Sequence, residues 1–208
     1  MFDTKAEIRI SLPSPEGRKT VVIRYFSDNE FFDWRRQKKV VQQDLGRGES
    51  ELAPVTPGDC DLALFNAIRM DKEDGPPVDE AEALYVLTLL SSAEVSERPE
   101  KEGSLYVIRM KVMRKYATSH TLRTPSVRQM MDYERQRSSL RFLKYGAQEI
   151  RINYRGAVDL YDSLAQSSEG YAGSVVPVCH KAEAINVLLQ EIRAEHEEAP
   201  DGDDDEEG

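Results

Sequence analysis

Two eight-residue stretches of this chain, 99 positions apart, share one pattern. Phe31-Phe32-Asp33-Trp34-Arg35-Arg36-Gln37-Lys38 aligns with Met130-Met131-Asp132-Tyr133-Glu134-Arg135-Gln136-Arg137. Further along, Glu80-Ala81-Glu82-Ala83-Leu84-Tyr85-Val86-Leu87 meets Lys181-Ala182-Glu183-Ala184-Ile185-Asn186-Val187-Leu188 at a shift of 101. Between them Leu64-Phe65-Asn66-Ala67-Ile68 meets Leu160-Tyr161-Asp162-Ser163-Leu164 at 96, and upstream Ile8-Arg9-Ile10 meets Ile108-Arg109-Met110 at 100. Amphipathic segments share periodicity whatever their origin, but that does not account for Ala-Glu-Ala followed by Val-Leu at the same offset twice. A period near 100 residues is that of a whole small domain. The expected organisation is a first repeat unit at 1–92, a linker at 93–103, a second unit at 104–194 and an acidic tail at 195–208.

The expected class is α+β, each unit being an antiparallel β-hairpin or meander packed on about three helices. Residues 6–12 and 20–26 alternate as half-buried strands around turn residues 13–17. Ser27 stands three positions before Glu30, the spacing of a capping box. The pattern then predicts a helix from 28 to about 44, with Phe31, Trp34, Val41 and Leu45 on one face and Gly46 and Gly48 ending it. A loop is expected at 49–58, helices at 59–70 and 78–90, and a loop at 71–77. Residues 93–103 are charged and contain a proline, as a linker would, with room for a short strand at the start. The order then recurs, with a hairpin from 105–113 and 118–123. Thr124 and Pro125 open a helix running to about 145. A short strand at 149–154, a helix at 157–166, a loop at 167–177 and a last helix at 179–193 complete the second unit.

Charge is unevenly distributed. The formal net charge is −10, yet the last fourteen residues hold nine acids and no Lys or Arg, so the remainder is nearly neutral. Residues 105–155 carry twelve basic side chains against Asp132, Glu134 and Glu149. Densely spaced like charges with Gly and Pro among them favour a disordered tail. With 39% hydrophobic and 32% charged residues the body has the composition of a soluble globular protein. No apolar run approaches the roughly 18–20 residues of a membrane span, and Met1 to Glu7 lacks the basic and apolar parts of a signal peptide. A cytoplasmic location follows, with Cys60 and Cys179 as free, buried thiols.

No constellation in the chain identifies a reaction. His120, His180 and His196 offer no paired metal-ligand spacing, and Cys179-His180 are adjacent. No G-x-S-x-G or comparable nucleophile context is present. Gly46 and Gly48 follow a predicted helix, so they read as its terminator and not as a phosphate loop. No catalytic residue, metal or cofactor is therefore expected. The candidate partner-binding residues are Arg35, Arg36, Arg128, Arg135, Arg137, Arg141 and Lys144. The alternative reading uses the basic segment 105–155 for nucleic acid, with Tyr106, Tyr116 and Tyr133 available for stacking. A hydrated face, or one that receives the acidic tail, is the plainer explanation of the same charges.

The motif Asp–Trp/Tyr–x–Arg–Gln–Lys/Arg, at residues 33–38 and 132–137, and the following Leu45-Gly46-Arg47-Gly48 resemble phage and prophage structural-module proteins. A hairpin leading through a Ser- or Thr-capped helix into further helices is also similar to the tail assembly chaperones of long-tailed phages. That resemblance implies a non-enzymatic assembly or scaffolding protein acting in the host cytoplasm or on the virion. It also implies the tape measure protein or tail tube subunits as partners. No functional residue is carried over from it.

Overall fold

The computed structural model describes residues 1–46, 49–55, 59–142, 148–173 and 175–198. Among these residues it is a mixed α/β fold of six helices and antiparallel sheets. Strands β1 (Ile8–Ser14) and β2 (Gly17–Ile23) form the first hairpin. Gly17 closes its turn at φ +125°, a region L side chains rarely adopt. Strand alternation turns Ile10, Leu12, Val21 and Ile23 inward. Ser27 caps α1 (Asp28–Gln37) through the expected capping box, its Oγ accepting from the Glu30 N–H while Glu30 Oε2 accepts from the Ser27 N–H. Next come β3 (Lys39–Gly46), β4 (Glu49–Val55), α2 (Cys60–Ile68) and α3 (Glu80–Ser91), the last capped by an Asp79/Glu82 box.

The short strands β5 (Ala93–Val95) and β6 (Glu100–Glu102) lead into β7 (Leu105–Val112) and β8 (Tyr116–Arg123). A Ser126/Gln129 capping box starts α4 (Val127–Gln136), followed by β9 (Ser138–Phe142) and β10 (Gln148–Ile152). Helix α5 (Tyr154–Leu164), β11 (Ala165–Glu169) and α6 (Val178–Glu198) end the described chain. Hairpin, capped helix, hairpin and helix thus occur in this order from β1 to α2 and again from β7 to α5, with a further helix closing each series.

The hairpin β1–β2 stands alone, a four-stranded sheet runs β4-β3-β10-β9, and a third sheet runs β11-β8-β7-β5 with β6 also on β7. The pairing of β10 with β3, Ile150 opposite Val40, joins the two halves of the chain through one sheet. Two hydrophobic clusters form the core. One gathers Phe31, Trp34, Phe65, Ile68, Leu87 and Leu90 together with Val112, Val158 and Cys179 from the second half. The other is built on Tyr106, Ile108, Met110, Leu160, Leu164, Ile185 and Leu188. Helix α6 contributes to both.

Several expected boundaries change. The helix expected to reach 44 stops at Gln37, and Lys38 turns extended at φ −84°, ψ 131°. Val40 and Val41 are β-branched and lie in the β3–β10 ladder, so sheet pairing prevails over the helical spacing of Val41 and Leu45. Gly46 accordingly ends a strand, not a helix. The expected loop at 49–58 contains β4, and the helix expected to reach 145 stops at Gln136 before β9. Its cap is Ser126, two residues beyond the expected Thr124. The 93–103 stretch holds two strands on β7, and β11 occupies the start of the expected loop at 167–177. Helix α6 continues through Glu198; within it Glu195 binds Lys101 and accepts a hydrogen bond from Tyr106 at 2.8 Å. Residues 199–208 of the expected tail lie outside the described residues. Among the described residues no helix is long and apolar enough to cross a membrane.

Candidate functional site

The last turn of α1 carries Arg35 and Arg36, cations placed where the negative end of the helix dipole favours them. Arg35 lies one turn from Phe31 and beside Trp34, both buried. Its guanidinium sits 4.6 Å from the Trp34 ring centroid, 5.1 Å from Tyr154 and 5.4 Å from Phe31. Arg151 and Ile152 approach from the end of β10. Asn153 then caps α5, its side chain accepting from the Arg155 N–H at 3.1 Å. The Arg155 guanidinium stacks 5.3 Å from the Phe32 ring. These groups and Ser139 line an open recess of about 190 Å³ with four arginines and, among the described residues, no carboxylate in its wall.

Two of the four cations have neighbouring acids: Arg36 lies 3.5 Å from Asp33, and Arg151 Nε donates to Glu149 at 2.7 Å. Among the described residues Arg35 and Arg155 have no carboxylate partner, and the buried Arg35 Nε has no hydrogen-bond acceptor. Elsewhere Arg24, Arg69, Arg98, Arg109, Arg114 and Arg193 each pair with Asp or Glu.

The other expected binding residues lie on or near α4, outside this recess. Arg128 and Arg135 are strongly exposed and flank Asp132 at 3.9 and 3.7 Å. Arg137 reaches Glu134 at 3.3 Å, and Glu134 also binds Arg193 of α6 at 2.7 Å. Arg141 belongs to β9, its side chain outside the description, and Lys144 lies outside the described residues. The outer stripe of α4 combines these charges with exposed Val127 (75% accessible) and Met131 (52%). On α1 the residue corresponding to Met131 is Phe32, which is half-buried beneath Arg155.

The histidines lead to the interior. His120 and His180 are fully buried, and Tyr25, Tyr161, Tyr171 and Cys179 are buried beside them. His120 Nδ1 meets Tyr161 Oη at 2.8 Å and its Nε2 meets Tyr171 Oη at 3.2 Å. Tyr171 Oη also meets His180 Nδ1 at 3.2 Å, and His180 Nε2 lies 3.5 Å from Tyr25 Oη. Tyr25 donates to the Leu90 carbonyl at 3.1 Å, which leaves its oxygen to accept from Cys179 Sγ at 2.8 Å and from His180 Nε2–H. The direction of every remaining bond follows. Tyr171 donates to His180 Nδ1, His120 Nε2–H donates to Tyr171, and Tyr161 donates to His120 Nδ1. Both imidazoles are then neutral with the proton on Nε2. Burial pushes His120 down to about 4, and burial with the neighbouring His120 pushes His180 down to about 3. Burial likewise raises the Cys179 thiol to about 12, far from a reactive thiolate. This chain ties the segment after β2, α3, β8, α5, the 170s segment and α6 together; its groups are engaged with one another and lie in the core.

Sequence reasoning reached Arg35 and Arg36 but missed Arg151 and Arg155, having started α5 at 157 instead of Tyr154. It also left His120 unassigned, although Thr118, His120 and Leu122 share one buried face of β8. Among the described residues no group of three His, Cys, Asp or Glu side chains is placed to hold a metal ion. Comparison with known protein families, with characterised proteins and with solved structures finds no match to this chain.

Proposed function

We propose that the protein works by binding, as a non-enzymatic assembly or scaffolding factor that docks an acidic partner protein on the outer face of α4. The observation that carries this reading is the composition of that face: Val127, Met131 and Arg135 follow one helical stripe, with Arg128 beside it. Methionine and arginine around a small apolar patch are the composition of a protein interface core. Nucleic acid is the second reading. It is weakened by Asp132 and Glu134, which interleave with Arg128, Arg135 and Arg137 and reduce the charge available to a phosphate backbone.

The chain also reads as a tandem duplication whose two copies have taken different surfaces. The capping boxes at Ser27 and Ser126 support this, as do the ten-residue helices that follow and the buried Trp34 and Tyr133 at corresponding places. The bridge Ile23–Arg69 after α2 has its counterpart in Leu122–Ala165 after α5, each joining the first hairpin to the residue just past the helix. In this reading α1 lost its open face to α5 and α4 kept one.

The resemblance to phage tail assembly chaperones names the partners to try first, tape measure and tail tube proteins. Co-expression with each, followed by purification of this chain, tests the proposal. A stoichiometric complex that Met131→Asp abolishes is expected. A complex indifferent to Met131→Asp and Arg128→Glu would refute the assignment of the face, and the absence of a complex would refute the phage partners.

A further inference from the structure

We propose that the recess between α1, β10 and the start of α5 is a binding site for a phosphate-type dianion. The inference is independent of the α4 face. Residues 35 and 36 meet residues 151 and 155 across more than a hundred positions of sequence, so the fold itself brings four positive charges together. Such convergence favours an anion in the space between. Asp33 and Glu149 neutralise two of the four at most, and Arg35 and Arg155 remain unpaired among the described residues. The Arg35 Nε donor is out of water and has no acceptor among the described residues, so its burial is uncompensated.

The arginines are also held in place. Aromatic faces fix Arg35 (Trp34, Tyr154, Phe31) and Arg155 (Phe32), so little side-chain freedom remains to be lost on binding. Planar guanidinium forks match tetrahedral oxyanions through paired N–H bonds. The first turn of α5 brings its positive dipole end to the same wall. The open recess, about 190 Å³, accommodates a phosphate group with its water. The chemistry recognised is therefore a phosphate monoester or inorganic phosphate carrying two charges.

Titration calorimetry on the full chain at pH 7.5 and low salt, with inorganic phosphate and separately with a phosphoserine peptide, tests this. Saturable one-to-one binding is expected, weakened at least tenfold by the Arg36→Gln/Arg151→Gln pair. Both side chains are exposed enough to be exchanged without loss of fold, which the fluorescence of Trp34 verifies. Arg114→Gln, an exposed change remote from the recess, should leave affinity unchanged. A peptide bound tenfold more tightly than phosphate assigns the source to a phosphorylated protein, and equal affinity assigns it to a free phosphate compound. The proposal is overturned if neither probe saturates or if the arginine pair makes no difference. It is also overturned if a DNA oligonucleotide, per phosphate, binds more tightly than either probe.

Discussion

Lowering the pH from 7 to 5 should remove a large part of this protein's stability before most of its carboxylates titrate. His120 and His180 are buried and neutral in the folded chain, lowered by burial to about 4 and about 3 from an ordinary value of 6.5. Each donates one proton and accepts one, and the groups around them (Tyr161, Tyr171, Tyr25 and Cys179) are uncharged partners. A base whose folded value is depressed stabilises the fold fully above its unfolded value and loses that stability as pH falls toward the folded one. At pH 5 each histidine is about 1.5 pH units below its unfolded value and still above its folded one. At about 1.4 kcal/mol per unit, that is about 2 kcal/mol each and about 4 kcal/mol together. This is a large fraction of the roughly 5–15 kcal/mol that holds a typical domain folded.

Urea titrations between pH 7 and 5 would measure it. Trp34, the sole tryptophan and nearly inaccessible, serves as the fluorescent reporter. With a urea slope of about 2 kcal/mol per molar, the midpoint should fall by about 2 M over this interval. Replacing His120 by Phe should remove about half of the pH dependence, whatever it does to stability itself. A midpoint that stays constant from pH 7 to 5 would refute the buried neutral pair.

Three further outcomes follow from local geometry. Ser27→Ala and Ser126→Ala each remove one capping hydroxyl from a ten-residue helix and should each cost about 1 kcal/mol in chemical denaturation. Gly170→Ala should be far more damaging, about 2 kcal/mol or more, because φ is +87° and the new Cβ would collide with the Ala117 carbonyl oxygen; a lowered melting temperature reports it. Asp61→Ala should cost about 2 kcal/mol, since Asp61 accepts from the buried Trp34 Nε1 at 2.5 Å and pairs with Lys38 at 2.8 Å; a shift in Trp34 emission would accompany the loss.

Local chemistry was readable where it acts locally. Ser27 with Glu30 announces a helix start, and the Ile8–Ile10 and Val21–Ile23 alternations announce strands. Helix ends were not readable in the same way. Val40-Val41 continues the helical spacing of α1, and pairing on both sides, with β4 and with the distant Glu149-Ile150 of β10, turns it into a strand. The recess follows the same logic. Arg35-Arg36 is visible as a doubled cation at a helix end, whereas its meeting with Arg151 and Arg155 depends on the β3–β10 pairing, which no local pattern encodes. His120 was within reach, because strand parity with Thr118 and Leu122 already places it inward. Its partner Tyr171 comes from a segment of Gly and Ser that carries no periodic signal.

The proposal that α4 is the docking face is tested most directly by site-specific photo-crosslinking. A photoreactive residue at position 131 should give an adduct with a tail tube or tape measure protein in co-expressing cells, identified by mass spectrometry. The same probe at Tyr85, comparably exposed on α3, should give none. An adduct at position 85 with nothing at 131 would contradict the account.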